Sequence, residues 1–165
     1  LTSGYYCDLT ALSTINIAIN KEWLMNTLNL TRAACLCLTL FLGSVAHAQI
    51  KVVYHLNEGI AQATRAMGNI RNHLTADPSA QITVVSHGPG IDFLLDGATN
   101  TAGQSFAGTI GDLATKGVQF KVCNNTLETR KIAKDKVAME ATVVPSGVAE
   151  VAILQAKSGF VYLRP

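Results

Sequence analysis

From Ile50 onward, short apolar runs of strand type alternate with stripes of helical spacing. Ile-Lys-Val-Val-Tyr-His at 50–55 is followed by Ile60, Ala63, Met67, Ile70 and Leu74, a buried-face pattern for a helix capped by Asn57 and running to about Thr75. Asp77-Pro78-Ser79 breaks that helix, and Gln81–Ser86 reads as a second strand ending in the sharp turn His87-Gly88-Pro89-Gly90. Ile91–Leu95 is expected to form a short helical turn and Ala98–Gly103 a loop. Phe106, Ile110 and Leu113 mark a further helix that Gly117 ends. Val118, Phe120 and Val122 then alternate with polar residues up to Cys123, the period of a half-buried strand. Asn125 with Glu128 three residues later predicts a capped helix start directly after Cys123. Ala141–Val144 is expected to be extended. Ser146 is the N-cap of a last helix facing Val148, Val151 and Leu154 inward, and Phe160–Leu163 closes the chain as a strand. Strand and helix in repeated alternation, with short connections, predict a mainly parallel sheet of about five strands covered by helices on both faces.

The N-terminal region has a different character. Met25 opens a weakly basic stretch, an apolar run spans Ala33–Leu42, and Ala46-His47-Ala48 precedes Gln49 as a small-residue cleavage pattern. The run is too short to cross a bilayer comfortably, so residues 25–48 read as a secretory signal peptide. Residues 1–24 are then expected to be an upstream extension outside the fold. The expected working domain is 49–165, periplasmic, with no membrane contact after cleavage. It carries eleven basic and nine acidic residues without a basic cluster, so nucleic-acid binding is not indicated.

Within that domain Cys123 is the lone thiol. A single cysteine in an exported chain is free for chemistry, free to pair with another chain, or inert in the core. Its place before a helix N-terminus favours thiolate character. His55 ends the first strand and His87 the second, so His55, His87 and Cys123 are predicted to share the edge of the sheet where ligands of parallel sheets bind, though not to bond to one another. The chemistry that fits is nucleophilic sulfur, with Cys123 as the attacking atom and a histidine handling its proton. Asn124, Asn125 and Thr126 offer donors to a bound anion, and Arg130 offers a charge. No phosphate loop, Cys-x-x-Cys pair or nucleophile elbow is present, and no cofactor is called for. A metal is not indicated either, although a soft ion held by Cys and His is a second reading, that of a binding module without catalysis.

Taken together, Val-Val-Tyr-His-Leu-Asn (52–57), Val-Val-Ser-His-Gly-Pro-Gly (84–90), Gly-Val-Gln-Phe-Lys-Val-Cys-Asn-Asn-Thr-Leu (117–127), Val-Val-Pro-Ser-Gly-Val-Ala-Glu (143–150) and the closing Gly-Phe-Val-Tyr-Leu-Arg-Pro resemble the DsrE/DsrF-like family over nearly all of 49–165. The resemblance implies a flavodoxin-like three-layer α/β sandwich assembled into trimers or hexamers. It also implies a cysteine after the third strand that carries sulfur as a persulfide, a place that Cys123 occupies. The implied partners are sulfur donor and acceptor proteins or small sulfur species. The relay members work in the cytoplasm, whereas an export signal is expected here, and no role for His55 or His87 transfers from them.

Overall fold

The computed structural model describes residues 49–165. The expected leader and upstream extension lie outside the described residues. Five strands, β1 (Lys51–Leu56), β2 (Gln81–Ser86), β3 (Gln119–Cys123), β4 (Ala141–Val144) and β5 (Val161–Leu163), form one sheet in the order β4-β3-β2-β1-β5. Every pairing is parallel. The helices are α1 (Ile60–Ala76), α2 (Phe106–Thr115), α3 (Asn124–Thr129) and α4 (Gly147–Ser158), with a 3-10 segment at Gly88–Leu94 and a shorter one at Lys134–Lys136. Among the described residues no helix is long and apolar enough to cross a membrane.

The two faces of the sheet are covered unequally, and strand parity shows how. Successive side chains of a strand point to opposite faces. Val52, Tyr54, Leu56, Ile82, Val84, Phe120 and Val122 enter the larger core, with α1, the 3-10 segment, α2 and Leu127 of α3. Val53 and Val85 point the other way, into a small core of Val151, Leu154 and Phe160 under α4. Each fully buried Leu, Ile or Phe contributes about 1.5–3 kcal/mol relative to exposure, so the larger core carries most of the stability. The α4 face holds the sheet by fewer apolar contacts and by a partly buried ion pair, Lys121 of β3 to Glu150 of α4.

Several local expectations need correction. Asn57 does not cap α1: the N-cap is Gly59, with no side-chain bond. Gln62, 1% exposed, reaches back instead, its carbonyl oxygen accepting from the backbone N–H groups of Asn57 and Glu58 at 2.9 and 2.8 Å. Asn125 does not cap α3, because the strand passes straight into the helix and Cys123 itself is the N-cap residue. Glu128 accepts from Asn124 Nδ2 at 2.6 Å instead of closing a capping box. Val148 faces outward at 62% exposure, since a single helix on that face leaves it nothing to pack against. Ser146 does cap α4, accepting from the Ala149 N–H, and Gly159 ends it in the left-handed conformation.

Candidate functional site

Strand parity also sets the site. Cys123 lies in step with Val53, Val85 and Lys121 on the α4 face. Ser86 pairs with Val122 in the β2–β3 register and Leu56 with Ser86 in β1–β2, so His87 and Cys123 come next along adjacent chains. Both chains leave the sheet at its carboxyl edge. Gly147, the first residue of α4, fits between them. A β-carbon on Gly147 would stand 3.1 Å from that of His87 and 3.2 Å from that of Cys123. Glycine thus lets the start of α4 press against both side chains.

That close approach gives the thiol its character. Cys123 is 4% exposed, and burial alone would push its pKa up. Hydrogen bonds from the backbone N–H of Gly147, the hydroxyl and N–H of Thr126 and the N–H of Asn125 outweigh burial and hold the thiol below its ordinary value of 9.0. The Thr126 hydroxyl is itself oriented. It accepts from the Gly88 N–H at 2.9 Å, which leaves its proton for the sulfur. Donors from two helix starts, those of α3 and α4, therefore converge on a single sulfur atom. Free cysteine among the described residues is Cys123 alone.

The histidines are closer to each other than the strand order predicts. His55 Nε2 lies 2.7 Å from His87 Nε2, a hydrogen bond where none was expected. The reason is the turn after β2. A β-carbon on Gly90 would fall 2.3 Å from the Leu56 carbonyl oxygen, so only glycine lets this turn fold down onto the end of β1. His55 Nδ1 is bonded in turn to the Tyr162 hydroxyl at 2.8 Å, giving a chain Tyr162–His55–His87. Burial lowers both imidazole pKa values from 6.5. For His55 the neighbouring His87 and Arg164 lower it further. The pair is thus held neutral near pH 7, one ring donating to the other. The hydrogen-bond donors to Cys123 are backbone groups and Thr126, not an imidazole.

A cleft of about 490 Å³ lies between the 3-10 segment, with Gly88 and Asp92, and the Asn125, Thr126, Thr129 and Arg130 stripe of α3, and Cys123 itself does not line it. Arg130 faces it, donating to Asp92 Oδ1 at 2.6 Å and to the Gly88 carbonyl at 3.3 Å. Of the four residues expected to meet a ligand, Asn125, Thr126 and Arg130 line this cleft. Asn124 does not: its amide is bonded to Glu128 and its Oδ1 is buried without a partner. Sequence reasoning does not place Gly147 or Tyr162 in these clusters. A glycine directly after a Ser N-cap is a usable signal for Gly147. Nothing local marks Tyr162, which reaches His55 only through the β1–β5 pairing. Among the described residues no group of three or more His, Cys, Asp or Glu side chains could hold a metal ion.

The sulfur cradle and the sheet that builds it define a class of parallel α/β domain with one activated thiol at the strand ends. The DsrE/DsrF-like family model matches residues 51–163, and the chain belongs to that family, which is of sulfur-relay type. Nine chains of solved structures match it. A protein of unknown function, MTH1491 from Methanobacterium thermoautotrophicum, is similar with 28% identity and a TM-score of 0.63, over 71% of this chain and all of that one. The ychN protein from E. coli is similar with 13% identity and a TM-score of 0.57 over the same shares, a likeness of fold alone. A comparison with curated proteins finds no match.

Proposed function

We propose that this protein is an exported sulfur carrier in which Cys123 bears a persulfide, receiving sulfur from one partner and giving it to another. The observation that carries the reading is the set of donors on the Cys123 sulfur, which lowers its pKa in spite of burial. A thiolate so held attacks a sulfane sulfur, and the same donors stabilise it as the leaving group when the outer sulfur moves on. His87, across Gly147 from Cys123, is the group best placed to move a proton at the site, and His55 and Tyr162 extend it toward the surface. The apolar segment before Gln49 supports export.

Self-association belongs to the same reading. Val148 and Ile153 of α4, with Val161, Tyr162 and Leu163 of the edge strand β5, are exposed. Edge strands and apolar faces left open in this way favour pairing with further copies. Treatment with polysulfide followed by cyanide tests the carrier function. About one thiocyanate should be released per chain, and none from Cys123→Ser; release unchanged in Cys123→Ser would refute it.

A further inference from the structure

We infer that Lys121 and Glu150 are positioning residues for the thiol: their ion pair fixes the start of α4 over β3, so that the Gly147 N–H stays on the Cys123 sulfur. The inference rests on the carrier reading for its purpose and adds to that reading the pair that sets the geometry of the sulfur.

The sheet face under α4 is anchored unevenly. The apolar anchors of the helix, Val151 and Leu154, cluster with Val53 of β1 and Val85 of β2. β3, which carries the thiol, gives this face only Gln119, Lys121 and Cys123, and Gln119 is exposed. The register partners on β4 add little. Thr142, opposite Lys121, is exposed, and Val144, opposite Cys123, is buried but lies outside the small core. Over β3, then, α4 has no aliphatic side chain to rest on.

Two polar contacts take that place. The Gly147 N–H reaches the Cys123 sulfur, and Glu150 Oε1 accepts from Lys121 Nζ. Gly147 and Glu150 are three residues apart on one side of the helix, about 4.5 Å along its axis. Cys123 and Lys121 are two residues apart on one side of the strand, about 6.6 Å. Since α4 runs back along the sheet between two parallel strands, the contacts fall in step. Together they fix the height and roll of the helix, where either one alone would let it turn. Little error is tolerated, because a β-carbon on Gly147 would already stand 3.2 Å from that of Cys123. Adhesion alone does not call for such a pair. Its side chains are only 20% and 17% exposed, and an apolar pair of similar volume often holds as well or better. What a charge-assisted bond supplies beyond adhesion is a set length and direction.

Alkylation of Cys123 by iodoacetamide against pH tests the inference. Lys121→Met should raise the midpoint and slow alkylation at pH 7 roughly three- to tenfold, as one hydrogen bond to the thiolate weakens. Lys121→Met with Glu150→Leu should regain stability yet keep the raised midpoint, a readout that a merely adhesive pair would not move. Lys121→Glu with Glu150→Lys keeps the bond with its charges exchanged, and should return the midpoint toward the native one. Native midpoints in both Lys121→Met and the apolar double variant would overturn the inference. So would an exchanged pair with a midpoint at or above that of Lys121→Met, since the lysine charge would then act on the sulfur directly. Where the exchanged pair fails to fold, the apolar double variant decides. The outcome is separable from that of the carrier reading. If Cys123 takes up no sulfur while the midpoints move as expected, the carrier reading fails and the positioning role stands; if sulfur loads and the midpoints stay native, only the positioning role fails.

Discussion

Replacing Gly147 with alanine probes the joint on which the site depends. The added methyl would meet the His87 β-carbon at 3.1 Å, the Cys123 β-carbon at 3.2 Å and the Ser86 carbonyl oxygen at 3.3 Å. Comfortable carbon contacts begin near ~3.5 Å. None of the three atoms is the end of a flexible side chain, and all belong to the ends of β2 and β3 or the residue just beyond. The methyl can be housed only if the start of α4 backs away. Overpacking of this kind costs about 1–3 kcal/mol. Alanine's better helix propensity returns up to about 1 kcal/mol, less at a helix's first position. A net loss of about 1–2 kcal/mol is expected, or a fall in melting temperature of roughly 4–8 °C. The retreat would also lengthen the Gly147 N–H contact to sulfur, so the midpoint of Cys123 alkylation against pH should rise. Urea denaturation and alkylation-rate profiles measure the two effects. A Gly147→Ala protein of equal or greater stability with an unchanged alkylation midpoint would refute the packing argument.

Three other substitutions or conditions give separate checks. Thr126→Val removes one donor to the sulfur while keeping the shape, and should raise the alkylation midpoint toward 9.0, with no change in midpoint counting against the cradle. The neutral histidine pair gives an acid dependence of stability. Because burial lowers both folded pKa values below 6.5, the unfolded chain takes up protons first; stability should be full above that pH and fall as pH drops through the folded values. Urea midpoints from about pH 7.5 to 5 would measure this fall, which should shrink in a His55→Gln, His87→Gln double variant. Lys121→Met leaves Glu150 partly buried without its partner, and should cost about 1–3 kcal/mol in urea denaturation while Lys121→Met with Glu150→Leu recovers most of it.

Much of this architecture is legible in the chain because it rests on local signals. The periodicities of 50–55, 81–86 and 118–122 carry the three central strands, and the Ser146 and Gly159 caps bound α4. Placement of His55, His87 and Cys123 at one edge follows from parallel order alone. What stays hidden depends on tertiary approach. The meeting of His55 with His87 needs the Gly90 turn to drop onto β1, which no spacing encodes. Tyr162 enters through a strand pairing more than a hundred residues away in sequence. Capping departs from expectation at Asn57 and Asn125 for a different reason. Gln62 and the direct strand-to-helix passage at Cys123 satisfy those helix starts by routes that residue preference does not reveal. Val148 reads as inward-facing because helical spacing cannot say how much of a sheet face one helix must cover.

The carrier function turns on whether Cys123 accepts sulfur. Intact-mass measurement of protein comprising 49–165 after exposure to polysulfide, beside Cys123→Ser, decides it. A gain of one or more sulfur atoms that reductant removes and the serine variant lacks is the predicted result. An unchanged mass in the native protein, with Cys123 also slow toward alkylation at neutral pH, would contradict it.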